Sequence, residues 1–310
     1  VSEQSKGLVM KSVADTSISP AARSSRRGLE ERYFQRMAAA VEEKTQLTDW
    51  VRGGRILDIG AGGGELAARI AELPDVKDVI ALDDSDDAVA HLNEIDGITV
   101  RSGTADQLAE LGLHDLDGIV MSSVLHEIAS YNPRGPENGR EAALANLAVI
   151  GGALAPGGVL IIRDFVTPAD ADRTLTLISP GEAGDALIGA YLEQVPVPEL
   201  AALTASGPHS FTGSARAVSE ALLTVNWGLE SLPREAQEQY CQFELDELVQ
   251  EVLGLGLGLS VVHREAWVQP GYRQHLSGWT VLEADGTPWF PDTKAIWVFE
   301  KAAANAPGSD

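Results

Sequence analysis

The chain is short of the residues that mark disulfide scaffolds, metal clusters and membrane spans. Its 310 residues include one cysteine, Cys241, which excludes an intramolecular disulfide framework and a cysteine-rich metal cluster. Six histidines are present, none at a ligand spacing such as HExxH, so no metal is expected. No uninterrupted apolar run approaches the roughly 20 residues of a membrane-crossing helix. The opening VSEQSKGLVMKSVADTS has Ser, Asp and Thr where a secretory signal carries its apolar stretch, which makes the cytoplasm the expected address. Positive charge is the largest deficit: 23 Lys and Arg stand against 46 Asp and Glu, a net charge of −23. Such a field repels polyanions, and phosphate contacts supply most nucleic-acid affinity, so RNA and DNA are disfavoured as partners. The one basic concentration, Arg23, Arg26 and Arg27 in a Ser/Ala-rich context, reads as a solvated arm.

What is present is an ordinary globular composition, 44% hydrophobic and 22% charged, long enough for one large domain or a core with a smaller lobe. Residues 1–22 read as a flexible leader. Residues 23–52 form a helical cap, because Leu29, Tyr33, Met37 and Val41 recur four apart. Residues 53–166 then alternate short apolar runs with helical stretches: strands at 55–59, 79–82, 98–100, 116–121 and 159–163, and helices at 65–73, 86–93, 105–111 and 137–154. That rhythm predicts an α/β fold with a mostly parallel sheet covered on both faces. It breaks at Val166, and residues 167–240 are predicted as an inserted helical lobe, with helices near 182–193 and 214–227, over an acceptor site. Residues 241–302 complete the core with a helix at 245–253 and strands at 260–268 and 295–300. An extra hairpin is expected within 278–289, turning at Asp285-Gly286. Residues 303–310 read as a flexible tail.

The most informative segment is RILDIGAGGGELAARIAE, residues 55–72. An apolar strand ends in Asp58, Gly60, Gly62, Gly63 and Gly64 and leads into a helix. Glycines so placed let the backbone turn tightly and approach a ligand beside a helix N-terminus. Where a dinucleotide loop carries its last glycine this chain has Glu65. A carboxylate there disfavours a pyrophosphate and tolerates a cationic or zwitterionic ligand.

Residues 54–165 resemble the core of class I S-adenosylmethionine-dependent methyltransferases, with D-x-G-x-G-x-G matched by Asp58, Gly60, Gly62 and Gly64. The resemblance implies a Rossmann-like seven-stranded sheet with an antiparallel final hairpin, and S-adenosyl-L-methionine as cofactor. It places the glycine loop beneath the methionine portion and an acidic residue ending the second strand on the ribose hydroxyls. Asp83 fits that position, with Asp84 as its competitor. Ala105 and Asp106 fall in the segment that meets adenine. The family's usual aspartate is replaced there by Thr104, which serves equally well as a helix cap. Ser122, in MSSVLHEI, falls at the strand end bordering methionine and acceptor.

In that same segment His126 matches a position where several small-molecule members place a histidine, and an imidazole can take a proton as the methyl arrives. The alternative for His126 is a polar residue bonding to backbone. Arg163 and Asp164 end the fifth strand, where α/β crevices bind ligands. They are candidates for acceptor contact or for an ion pair holding the lobe. Tyr33, Phe34, Tyr131 and Trp227 are candidate pocket walls, against the commoner reading of aromatics as core. The expected activity is methyl transfer to a small-molecule acceptor, O-methylation first and N- or C-methylation after it, in biosynthetic or secondary metabolism. The alternatives are a non-methylation reaction on the same cofactor fold and methylation of RNA or protein. Self-association through the N-terminal helix or the lobe is compatible with the sequence, which shows no symmetric patch.

Overall fold

The computed structural model describes residues 44–269 and 271–304. The leader, most of the predicted helical cap with Tyr33 and Phe34, the arginine cluster and the end of the tail lie outside the described residues. A 3-10 turn at Gln46–Trp50 leads into the core.

The core strands are β1 (Gly54–Ile59), β2 (Val76–Asp83), β3 (Thr99–Ser102), β4 (Leu116–Ser122), β5 (Leu154–Asp164), β9 (Leu259–Trp267) and β12 (Lys294–Lys301). They form one sheet in the order β3-β2-β1-β4-β5-β12-β9. The strands from β3 to β5 pair in parallel, and β12 runs against both of its neighbours. The connecting helices are α1 (Glu65–Ala71), α2 (Asp86–Leu92), α3 (Leu125–Ser130) and α4 (Gly139–Ala153). Strands such as VIAL at 79–82 read as continuous apolar runs because both faces of a parallel sheet are covered. Alternate residues serve the two faces. Ile56, Val79, Val120, Val159 and Ile161 pack with Leu66 and Ile70 of α1 and with Leu47. Leu57, Ile80, Ile119, Leu160 and Ile162 pack with Leu147 and Ile150 of α4. The Pro156-Gly157-Gly158 stretch that follows α4 lies inside β5. Its register against β4 shifts there, with Gly157 at φ 81°.

The segment 167–240 holds the two expected helices, α5 (Glu182–Gln194) and α6 (Ala215–Val225), and a short α7 (Leu232–Glu235). It is not purely helical: β6 (Thr174–Ile178), β7 (Thr204–Gly207) and β8 (Ser210–Ser214) are in it too. They join the hairpin of β10 (Thr280–Leu282) and β11 (Pro288–Trp289) in a second, antiparallel sheet of order β11-β10-β6-β8-β7. The lobe has its own apolar core, built on Leu175, Leu177, Ile188, Tyr191, Leu222 and Val281. It leaves the first sheet after Asp164 and rejoins it before α8 (Leu245–Gly254), where Thr167 N–H donates to Phe243 O at 2.8 Å. A one-turn helix α9 (Tyr272–His275) precedes β10.

Candidate active site

The chain crosses from one sheet face to the other between β1 and β4, and the carboxyl ends of those strands open a crevice where such sheets bind ligands. The glycine loop lines it. Gly60, Gly62 and Gly64 all have positive φ, 68°, 52° and 77°, a region closed to most side-chain-bearing residues. A Cβ on Gly60 would stand 2.6 Å from Val124 Cγ2, so the loop is a cradle that side chains would fill. Asp83, ending β2, reaches across to it. Its Oδ2 accepts from Gly62 N–H at 2.8 Å and its Oδ1 from Ser85 N–H at 3.0 Å. Asp84 is exposed. Ser122, at the end of β4, has a buried hydroxyl without a hydrogen-bond partner among the described residues. Beyond β3, Ala105 is buried in a 3-10 turn at Ala105–Gln107, where the Gln107 side chain accepts from Thr104 N–H at 3.0 Å. Thr104 therefore caps this turn, and its hydroxyl donates to Asp106.

On the α1 face of the sheet, charged groups gather beneath the loop. Asp58 is buried, and that burial, with Asp83 and Glu65 adding to it and Lys44 opposing it, pushes its carboxyl up to about 7. Lys44, just ahead of the 3-10 turn, is 9% exposed and feels Asp58, Glu65 and Arg163. Arg163 and Asp164 point to opposite faces of β5, as neighbours on a strand do, so they do not form the ion pair considered from sequence. Arg163 Nη1 donates to Ser123 Oγ at 3.2 Å, and Lys294 Nζ donates to the same oxygen at 2.8 Å. Ser123 itself sits at φ 59°, a strained position for a residue with a side chain.

Asp164 faces α3. Its Oδ2 accepts from the N–H groups of Leu125 at 2.7 Å and His126 at 3.2 Å, and its Oδ1 meets His126 Nδ1 at 2.7 Å. The other ring nitrogen, Nε2, lies 3.4 Å from Glu238 Oε2, which reaches it from the lobe. His126 is 5% exposed, with Phe165 edge-on at 4.9 Å and Tyr240 at 5.3 Å. Burial opposes its charge, yet the two carboxylates raise it to about 10. Burial likewise opposes ionisation of Asp164 and Glu238, but His126 holds both below the usual carboxylate range. The imidazole is thus a clamped cation, with neither nitrogen free to take a proton. This departs from the role of neutral base expected for His126. The sequence reading missed the flanking carboxylates, because Glu238 lies more than a hundred residues downstream. Tyr131 OH donates to Glu238 Oε1 at 3.1 Å while its ring stays 54% exposed. Burial, aided by Glu238 and Asp164, pushes the neighbouring Glu127 carboxyl up to about 7.

The structure therefore brings Asp58, Gly60, Gly62, Gly64, Asp83 and Ser122 to one crevice, with His126, Tyr131, Arg163 and Asp164 at the ends of β4 and β5 beside it. Trp227 follows the end of α6 in the lobe. Lys44, Ser123, Glu238 and Lys294 join the site without having been singled out from sequence. Among the described residues no group of three His, Cys, Asp or Glu is arranged to hold a metal ion, and no helix is long and apolar enough to cross a membrane.

The family profile described as a methyltransferase domain matches residues 57–162, the stretch from the heart of β1 to the end of β5. The core is a methyltransferase domain. No curated protein matches the chain. Among solved structures, the plantazolicin methyltransferase BamL is 12% identical over 89% of this chain and 91% of its own, with a TM-score of 0.48. The cyclase SpnF is 15% identical over 86% of this chain and 82% of its own, at 0.48. A methyltransferase from Methanosarcina mazei is 13% identical over 83% and 96%, at 0.44. The cofactor of such a domain is S-adenosylmethionine, and the residues of this methyltransferase domain fit it. The loop is a cradle emptied of side chains, Asp83 offers carboxylate oxygens at the second strand end, and the Ser122 hydroxyl is left without a partner. A zwitterionic amino-acid moiety also suits a loop flanked by buried charges of both signs.

Proposed function

We propose that this methyltransferase acts on a small-molecule acceptor held between the carboxyl ends of β4 and β5 and the lobe. The observation that carries the reading is the crevice itself, where Asp83 is bonded to the turn of the glycine loop beside the unpartnered Ser122 hydroxyl. Bound S-adenosylmethionine supplies an electrophilic methyl group on a sulfonium centre. This chain's residues align an acceptor to it and exclude water: Phe165 and Tyr240 pack edge-to-face at 4.4 Å where the lobe meets the core. Arg163, Asp164 and Tyr131 are the described candidates for contact with the acceptor.

O-methylation is the first reading, with N- and C-methylation behind it. His126, protonated between its two carboxylates, is not the group to take a hydroxyl proton, and proximity and alignment carry the transfer. The acidic chain and the covering lobe favour a metabolite over a polyanion, and with it a biosynthetic role.

Calorimetric titration with S-adenosylmethionine and S-adenosylhomocysteine, on wild type and Asp83→Ala, tests the cofactor site. The variant is expected to bind both about tenfold or more weakly, roughly 1.4 kcal/mol. Folded wild-type protein that binds neither ligand would sink the reading. An acceptor screen with methyl-labelled donor then separates methyl transfer, which leaves label in the product, from chemistry that leaves the donor intact.

A further inference from the structure

In a chain of net charge −23, two cations are buried together at the crevice end of the sheet. Arg163, near the end of β5, is 1% exposed, and Lys294, the first residue of β12, is 3% exposed. Because β12 runs against β5, with Ala295 opposite Asp164, its first residue falls at the carboxyl end of β5. Val159 and Ile161 of β5 and Ile296 and Val298 of β12 pack on the α1 face, and the period of two puts Arg163 and Lys294 on that face as well. Both reach one oxygen. Ser123 Oγ accepts from Arg163 Nη1 at 3.2 Å and from Lys294 Nζ at 2.8 Å. The backbone holds Ser123 in place, at φ 59° and with its N–H donating to Arg163 O at 2.7 Å. Lys294 Nζ also stands 3.2 Å from the centroid of the Phe165 ring, and Phe165 in turn packs on Tyr240 of the lobe. Asp164 is the neighbouring carboxylate on the strand, but it faces α3 and accepts from the N–H groups of Leu125, His126 and Phe165.

A serine whose oxygen accepts from two cations still has its own proton to give. Two like charges drawn to one oxygen repel each other. A carboxylate set against them relieves that repulsion, and it can accept from the guanidinium, the ammonium and the hydroxyl together. Strand order decides which molecule brings it. Asp83 on β2 and the glycine loop after β1 form the cofactor side, whereas β5 and β12 follow β4 in the sheet. The cations therefore approach Ser123 from the side away from the loop, with β12 about 14 Å from β1 at ordinary strand spacing. That is also the side on which Phe165 meets the lobe. We propose that Arg163, Lys294 and Ser123 form an anion subsite for the acceptor, so that the small molecule methylated here is a carboxylic acid held by its carboxylate. This rests on the acceptor reading above and deepens it by naming the substrate class. The subsite also supplies selectivity, because a primary amide turns an NH2 donor toward groups that are donors themselves.

Matched pairs of small acids and their primary amides test it: benzoate, salicylate and phenylacetate against benzamide, salicylamide and phenylacetamide. Their binding is read by ligand-observed NMR on the full chain saturated with S-adenosylhomocysteine. Wild type is expected to bind at least one acid about tenfold or more tightly than its amide. Lys294→Met is expected to lose that preference while binding S-adenosylhomocysteine as wild type does, which also shows that it is folded. Lys294→Arg should keep most of the preference. A wild type that binds acids no better than amides, or binds neither, overturns the proposal. So does a folded Lys294→Met that retains the wild-type preference. A Lys294→Met weakened toward S-adenosylhomocysteine but not toward the acids would assign the cations to the cofactor, and overturns it too. If Lys294→Met does not fold, the wild-type comparison decides alone. Each of these failures leaves the cofactor assignment standing. A folded wild type that does not bind S-adenosylhomocysteine removes that assignment, and this inference with it.

Discussion

His126 shows how a single residue's role is set by what faces it. On a strand-to-helix junction in MSSVLHEI it has the look of a proton acceptor, but Asp164 at 2.7 Å and Glu238 at 3.4 Å occupy both nitrogens. Removing one member of a buried ionic group strands the others, which costs about 3–5 kcal/mol. His126→Ala is therefore expected to lose stability of that order in urea denaturation, because Asp164 and Glu238 are left buried without their shared cation. Glu238→Gln should lose less, since an amide oxygen still accepts from Nε2. A His126→Ala chain as stable as wild type would show that the carboxylates find other partners and that the clamp is not structural. Because Asp164 also caps the N–H groups of Leu125 and His126, the clamp fixes the start of α3, and through it the wall of the crevice next to Ser122.

Among the elements, α6 fixes the end of the lobe through one buried carboxylate. Glu220 accepts from Tyr240 N–H and Cys241 N–H, both at 2.7 Å, on a strand-like segment that has no sheet partner to satisfy those donors. Leaving a buried donor unmade costs about 1–3 kcal/mol. Glu220→Ala should accordingly lower stability by about 2–5 kcal/mol, with Glu220→Gln between it and wild type; equilibrium unfolding measures both. No loss in the alanine variant would mean that water replaces the carboxylate and that the lobe is held by apolar packing alone. The elements differ in how far they were legible. β1, β2, β4 and β5 were plain, because a strand buried on both faces has to be an apolar run, and Asp83 stood out as the acid that ends one. The second sheet was not: β7 is TASG and β8 is SFTGS, and β6 pairs with β10 from a hundred residues later. Short polar strands paired at such separation leave no local period to read. The six-residue α3 was hidden for the same reason, being too short to show a helical stripe. In the site, Lys44 reads as one more surface lysine of a helical stretch, and only its burial distinguishes it.

Across the whole molecule, charge and burial combine to set one dependence on pH. Asp58, Glu127 and Glu235 have carboxyls pushed up to about 7 by burial. Their folded-state values lie above the unfolded ones, so they favour folding while protonated, and that contribution is lost as pH climbs from about 4.5 to 7. His126, raised to about 10 by its carboxylates, contributes fully below its unfolded value near 6.5 and less at each step up to 10. Asp164 and Glu238 act in the opposite sense. Held below their ordinary range, they contribute above about pH 4.5 and lose it as pH falls. The net charge of −23 at pH 7 adds self-repulsion that also grows with pH. The thermal midpoint is therefore expected to peak near pH 5 and to fall steadily toward pH 8, where a chain without these buried groups would be nearly level. Salt separates the two causes. Surface repulsion is screened at about 0.5 M, whereas buried groups are screened much less. Most of the decline should thus persist in high salt, and Asp58→Asn should flatten it. A midpoint that is level from pH 5 to 8 in high salt would mean that water reaches these carboxyls, and that the charges around the glycine loop and the His126 clamp are not as enclosed as their geometry implies.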